Sequence, residues 1–441
     1  MVLQRDEFIC VYGTGKGTGR ITVGDQVKTV TSESDSWEVY FEPMTASATP
    51  VTFKTEFSGV TKEYENVLIG DVYIAAGQSN MEMTLGATEQ SDTVSENSML
   101  RFRNINDPTW NEFIKTWYCS IENISAVGSL FANELSVALD NEIPVAIISV
   151  AVGASRIEDW THKDYCYCDA YDLDNTAHSD YTLYDKGHHD LYTAHIEPIE
   201  KMTTAGVLWY QGESNRGAGE AYRYLDMFET MVGCWRTRMD DPDLPFYTVQ
   251  IMLFSEDTAV DVSGNAVDEY NIRIAQGEAE RTMDNVTVCT MLSYEDTLTN
   301  TGVLDIHPTD KAPIAKALAN AVLTNYYNPK GEYDGTPEYS GPLYDTVTVD
   351  GNTATVTFTH VAEGLMLTKG DTVSEIEVRD VDGSWATATG TLSGNTVTVT
   401  ADVDEITGVR MGYRNRPILN LYNTVDDVRG YCASPFVWIA H

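Results

Sequence analysis

The stretch LIGDVYIAAG at 68–77, followed directly by Gln78-Ser79-Asn80-Met81, decides the fold. It is dominated by apolar and β-branched side chains and closed by a glycine, the pattern of a strand covered on both faces. Four further runs share that texture: PVAIISVAVG (144–153), AGVLWYQG (205–212), PFYTVQIML (245–253) and VTVCTML (286–292). Between them the apolar residues switch to helical spacing. Val127, Leu130, Phe131 and Leu135 form one stripe, and Leu225, Phe228, Val232 and Trp235 another. A further helix is expected over Pro308 to Tyr327, with proline in its first turn and an Ala/Leu-rich run behind it. Strand–helix–strand repetition implies right-handed crossovers and a doubly wound α/β sheet of about five parallel strands. Ligands in such sheets bind beyond the carboxyl ends of the strands, so the residues there are the candidates for chemistry.

Outward from this core the texture changes. ICVYG, RITVG and WEVYF in the N-terminal region are short alternating runs separated by Gly, Asp and Ser. Near the C-terminus DTVTVDGNTATVTFTH predicts a hairpin around Asp350-Gly351-Asn352, and TGTLSGNTVTVTADV another around Ser393-Gly394-Asn395. The expected organisation is a β-sandwich-like domain over 1–67, a central catalytic domain over 68–335 and a β-rich domain over 336–441. The 441 residues, 42% hydrophobic and 22% charged, have globular composition. The balance of 28 Lys+Arg against 67 Asp+Glu gives a net charge of -39. That field repels phosphate backbones and anionic lipid, which sets nucleic acid and membranes aside as partners. No apolar run approaches the roughly 18 to 20 residues of a spanning helix. MVLQRDEFIC lacks a basic start followed by an apolar core, so no signal peptide is visible; a cytoplasmic location is expected, or secretion if a leader has been lost. Seven cysteines, an odd number that includes Cys166 and Cys168 as C-x-C, argue for reduced or buried thiols over a disulfide framework.

Four strand ends carry the polar residues. Ser79 follows Gly77 by two positions, where a tight turn presents it at the sheet's carboxyl edge. The alternative is an ordinary turn serine, and the pentapeptide is not the G-x-S-x-G elbow. Gly153 lets backbone N–H groups approach a ligand, or simply supplies a βα turn. Gln211, Glu213, Ser214 and Asn215 crowd the end of the third strand; a helix cap accounts for one of them but not for all four. Asp305 and His307, two apart on an extended segment, point to the same side, so the carboxylate can orient the imidazole and leave its other nitrogen as base. The alternative is a histidine near a helix start with an acidic partner. Together, a hydroxyl, a base, an orienting acid and donor-bearing loops on one edge are the parts of an acyl-transfer site.

MVLQRD at 1–6, NVLIGDVYIAAGQSNMEM at 66–83, ISAVGSLFANEL at 124–135, IEDWT at 157–161, GVLWYQGESN at 206–215, LPFYTVQI at 244–251, DIHPTDK at 305–311 and the terminal ASPFVWIA resemble the sialate O-acetylesterase family, within the SGNH (GDSL-like) hydrolase superfamily. The likeness covers nearly the whole chain, and GQSNM, WYQGESN and DIHP in this order are specific. It implies an SGNH-type, flavodoxin-like sheet and a serine esterase that removes O-acetyl groups from sugars, with no metal or organic cofactor. It implies Ser79 as nucleophile and, through its N–H, as one oxyanion donor, with Gly153 as a second and Gln211 as a third; Asn215 is the other amide of that motif. It implies His307 as base and then acid, oriented by Asp305. The superfamily usually spaces these last two as D-x-x-H, whereas here they read D-x-H, so Glu295, Asp296 and Glu213 stand as alternatives for the acid. Ala154-Ser155-Arg156 also replaces the more usual Gly-Thr-Pro.

The substrate divides two ways. Arg156 and Arg216 each follow a proposed oxyanion loop and are placed to pair the carboxylate of an O-acetylated sialic acid. A net charge of -39 favours neutral acetylated xylose or hexose units instead, although charges beyond about 8 Å are screened. Two readings come from other classes. The β-rich ends, 8 Trp and 25 Tyr suit a non-catalytic carbohydrate-binding protein. Cys166, Cys168, His178, His188 and His189, in the insertion over 162–195, raise a metal-dependent hydrolase, though their spacing fits no standard zinc pattern and a substrate loop suits them better.

Overall fold

Strand β1 (Val60–Gly77) carries two sequence patterns end to end, and its burial follows them: residues 60–66 are exposed and 67–77 are buried. The charged half pairs antiparallel with Ser47–Phe57 of the N-terminal region, and the apolar half enters the central core. The chain therefore passes residue 67 inside one continuous strand, with no linker there. The computed structural model describes residues 1–90, 93–94, 96–104, 107–113, 123–165, 190–217, 221–260, 266–292 and 305–440.

The central sheet also contains β2 (Asn97–Asn104), β3 (Asp107–Phe113), β4 (Val145–Ser149), β5 (Gly206–Tyr210), β6 (Phe246–Val249) and β7 (Val286–Cys289). Their spatial order is β7-β6-β5-β1-β4-β2-β3, parallel except for β3, which runs antiparallel at the edge. The five expected strands are β1, β4, β5, β6 and β7, and β4 to β7 are buried at every residue, as continuous apolar runs require. Strands β2 and β3 extend the sheet beyond that expectation. NSMLRFRN conceals β2 because Arg101 interrupts the apolar run, yet that side chain is buried, with its guanidinium on the Leu100 carbonyl at 3.2 Å and the Glu112 carboxylate at 3.4 Å.

The helices are α1 (Ser79–Glu82), α2 (Ala126–Ala138), α3 (Tyr224–Arg238), α4 (Glu269–Thr282) and α5 (Ala312–Val322). They pair off, α2 with α5 and α3 with α4. The stripes read on α2 and α3 are buried, apart from the half-buried Leu225. Helix α4 escapes an apolar-period reading because it buries Glu269, Arg273 and Gln276. The last helix starts at Ala312 with Pro313 in its first turn, and residues 308–311 remain a loop. Among the described residues no helix is long and apolar enough to cross a membrane.

Each β-rich flank has its own core, Ile9, Val11, Ile21, Val23 and Phe41 at the N-terminal end, and a larger set around Val356, Val378, Val399 and Val409 at the other. Both hairpins form where their turn residues stand, with Asp350 opposite Thr353 and Ser393 opposite Thr396. The opening MVLQRD is tied to β1. Asp71 on β1, fully buried, accepts from Arg5 Nε at 2.9 Å, Gln4 Nε2 at 2.9 Å, Tyr327 Oη at 2.7 Å and Tyr326 Oη at 3.1 Å. A buried carboxylate is tolerated when its lone pairs are filled this way.

Candidate active site

The turn that carries Ser79 begins with Gly77. Its φ is +139°, and a Cβ there would lie 2.1 Å from the Tyr210 carbonyl oxygen, so only glycine lets β1 and β5 end this close together. Gln78 continues the join: its N–H donates to the Tyr210 carbonyl at 3.0 Å, and its Oε1 accepts the Ser214 N–H at 3.1 Å. Ser79 is then the first residue of the one-turn helix α1, where its own N–H has no acceptor inside the helix. Its Oγ lies 2.7 Å from His307 Nε2, across 228 positions of sequence. Burial lowers the His307 pKa, the nearby Lys311 charge lowers it further, and Asp305 opposes both. The net direction favours a neutral imidazole, the form that accepts a proton.

Asp305 meets His307 differently from the expectation. Its Oδ1 accepts the main-chain N–H of His307 at 2.8 Å, a side-chain turn two residues long. With only Ile306 between them, the carboxylate reaches the backbone of His307, and among the described residues no hydrogen bond joins it to the ring. Glu213, one alternative acid, is buried and accepts from Asn80 Nδ2 at 2.6 Å. Glu295 and Asp296 lie outside the described residues.

The expected oxyanion groups separate into two layers. Gly153 borders Ser79: a Cβ there would stand 3.7 Å from Ser79 Cβ and 2.7 Å from Glu82 Oε2. Its N–H donates to that Glu82 carboxylate at 2.7 Å. Gln211 belongs to the layer behind. It is fully buried, its Nε2 donates to Asn215 Oδ1 at 2.7 Å and to the Ser155 carbonyl at 3.2 Å, and its Oε1 accepts from Tyr224 Oη at 2.9 Å. Both amide hydrogens are used, so Gln211 has none left for an oxyanion. Asn215 braces the same layer, accepting the Ile157 N–H at 3.1 Å and donating to Glu158 at 2.9 Å.

The two arginines are engaged on the protein. Arg216 pairs with the fully buried Glu269 at 3.2 Å and lies 5.0 Å from the Phe254 ring centre. Arg156 Nε donates to the Ser214 carbonyl at 3.4 Å, while its N–H is capped by Asp159 at 2.8 Å. Three residues beside the Ser79–His307 pair are absent from the sequence-derived candidates: Asn80, Glu82 and Lys311. All three lie within GQSNMEM and DIHPTDK, so their position beside Ser79 and His307 was the available signal. Lys311 is fully buried, which pushes its pKa down to about 8 against the pull of Glu213, Asp305 and Asp310. Burial pushes the Glu213 carboxyl up, opposed by the Asn80 hydrogen bond and Lys311.

Among the described residues no group of three or more His, Cys, Asp and Glu is arranged to hold a metal ion. Cys166, Cys168, His178, His188 and His189 lie outside those residues. Of the remaining cysteines, Cys10, Cys234, Cys289 and Cys432 are free thiols.

A hydroxyl within hydrogen-bond reach of an imidazole, at the carboxyl edge of a parallel sheet, is an arrangement that acyl transfer uses. Residues 69–290 match the family described as carbohydrate esterase, sialic acid-specific acetylesterase, and the chain belongs to that family. It is 27% identical over 272 residues to the sialate O-acetylesterase of Pongo abelii, which covers 54% of this chain and 51% of the relative. It is 25% identical over 411 residues to that of Mus musculus, covering 78% and 74%. The chain thus spans about half the length of the Pongo abelii relative it matches. A crystal structure of a carbohydrate acetylesterase from Xanthomonas citri superposes with a TM-score of 0.78 at 25% identity, covering 99% of this chain and 97% of that one.

Proposed function

We propose that this protein is a serine carbohydrate esterase that releases acetate from O-acetylated sugars through an acetyl-enzyme. The observation that carries this reading is the 2.7 Å contact between Ser79 Oγ and His307 Nε2, with Gly153 alongside. Ser79 Oγ attacks the acetyl carbonyl as its proton passes to His307 Nε2. The N–H groups of Ser79 and Gly153 hold the oxyanion, the latter once Glu82 has released it. The bond to the sugar oxygen breaks, and His307 returns the proton to that oxygen. Water then gives a proton to His307 as its oxygen attacks the acetyl carbonyl; the bond to Ser79 Oγ breaks, His307 returns that proton to Ser79 Oγ, and acetate leaves. Asp305 supports the base through the backbone turn and its charge. The same reading takes the order β4-β1-β5-β6-β7 of the five expected strands and the two helix pairs as an SGNH-type, flavodoxin-like doubly wound framework, with 68–335 as the catalytic domain between two β-rich supports.

Family membership favours O-acetylated sialic acid as substrate. A neutral acetylated glycan is favoured by a separate observation: Arg216 is paired with Glu269, and the charged group nearest Gly153 is the Glu82 carboxylate. Acetate release from acetylated sialic acid, xylo-oligosaccharide and manno-oligosaccharide separates the two. Ser79→Ala is expected to abolish release with the fold intact; retained turnover would remove Ser79 from its role.

A further inference from the structure

Behind the reacting pair lies a buried ammonium that the proposed steps do not use. Lys311 Nζ donates to Asn80 Oδ1 at 2.6 Å and sits 5.8 Å from the Tyr210 ring centre. Burying such a charge is costly, so its retention asks for a reason. Asn80 supplies one. Its Nδ2 donates to Glu213 Oε1 at 2.6 Å and to the Ile306 carbonyl at 2.9 Å. An ammonium only donates and a carboxylate only accepts, so the amide between them has a single orientation. Turned over, it would set N–H against Lys311 and oxygen against Glu213. Asn80 directly follows Ser79, and Ile306 directly precedes His307. One side chain therefore ties together the two loops whose separation sets the Ser79–His307 contact.

Resting on the reading of Ser79 and His307 as nucleophile and base, we propose that Lys311 is a positioning residue that locks the Asn80 amide and holds a positive charge behind the base. The groups around the pair are Asp305 on the His307 loop, Lys311 just before α5, Glu213 on the 213–215 turn and Glu82 on α1. Asp305 favours the imidazolium, whereas Lys311 and burial disfavour it. Taking away the Lys311 charge therefore makes His307 easier to protonate, and a base lost to protonation fails at low pH.

The test is the pH profile of kcat/KM on an acetyl ester. Lys311→Gln keeps a donor for Asn80 and loses the charge; its acid limb is expected to move up by about half a pH unit or more, with KM little changed. Asn80→Ala keeps the charge and is expected to lower kcat about tenfold or more with the limb unmoved. Lys311→Met supplies a second neutral variant if Lys311→Gln does not fold, and its limb is expected to move the same way. Unmoved limbs in folded Lys311 variants, with Ser79→Ala inactive, overturn this inference and leave the esterase reading standing. Full turnover in Ser79→Ala overturns both.

Discussion

His360, in the C-terminal region, lies between Glu280 of α4 and Glu338 of its own region, and its contribution to stability should change sharply with pH. Nε2 lies 2.6 Å from Glu280 on α4 and Nδ1 lies 3.0 Å from Glu338, with 12% of the histidine side chain exposed. Burial works against the imidazolium, but the hydrogen bonds and charges of Glu280 and Glu338 outweigh it and raise the pKa from 6.5 to about 9. A folded-state pKa above the unfolded one gives stabilisation that is complete below pH 6.5 and is lost as pH rises through about 9. At about 1.4 kcal/mol per unit, the shift corresponds to about 3 kcal/mol at its fullest. His360→Gln removes the charge and most of this dependence. Three separate cores need not unfold together, so the useful readout is the difference in urea midpoint between wild type and variant, followed by tryptophan fluorescence. Groups shared by the two proteins cancel in that difference. We expect a clear gap at pH 6 that closes by about pH 9.5. A gap of equal size at both pH values would refute the reasoning.

Other substitutions test the site directly. Gly77→Ala forces a Cβ to within 2.1 Å of the Tyr210 oxygen at φ +139°, and should destabilise by about 2–6 kcal/mol from backbone strain and overpacking; an unchanged melting temperature would contradict the close approach of β1 and β5. Asp305→Asn keeps an oxygen for the His307 N–H but loses the charge that favours imidazolium, so the acid limb of kcat/KM should move down in pH. Asp305→Ala should in addition cut kcat, and equal kcat values for the two variants would dismiss the backbone turn as a support. Glu82→Ala frees the Gly153 N–H, so acetate should inhibit about three- to tenfold more tightly, as expected for removing an exposed charged competitor for one donor; an unaltered inhibition constant would count against the contact. Arg216→Ala leaves buried Glu269 with one fewer cation, and should lower the melting temperature without changing the ratio of activity on acetylated sialate to acetylated xylose. A collapse of that ratio would return Arg216 to the substrate.

What could be read from the sequence follows the length scale of each signal. Strands β1 and β4 to β7 announced themselves because burial on both faces demands uninterrupted apolar residues. Strand β2 and helix α4 did not, because Arg101 and Arg273 are charged residues buried through specific partners, Glu112 on the neighbouring β3 and the distant Asn415 carbonyl. The same distinction runs through the site. Ser79 and His307 can be named from their motifs, while the expectation of Gln211 at the oxyanion, with Asn215 as the other amide, meets the difficulty that an amide's destination depends on its neighbours. Only the fold shows Ser155, Ile157 and Tyr224 absorbing those amides. Asp305 was a matter of one residue: the D-x-H spacing is visible, but its consequence, a carboxylate on the backbone N–H, is set by loop geometry.

The two β-rich flanks also have a physical connection to the chemistry. From the C-terminal region, the Asn415 carbonyl accepts from Arg273 Nη2 of α4 at 2.6 Å, and Asn415 Nδ2 holds the Val267 carbonyl at 2.7 Å just ahead of that helix. One turn along α4, Gln276 Nε2 donates to the Gln211 carbonyl at 3.0 Å. Gln211 and Asn215 in turn hold Ser155 and Ile157, on the loop that carries Gly153. From the other end, Arg5 and Gln4 hold Asp71, on the strand that delivers Ser79. Every link is a buried hydrogen bond, the kind whose loss is costly because the abandoned partner has no water to turn to. The position of Gly153 relative to Ser79 is thus tied to residues from both ends of the chain, far in sequence from either of them.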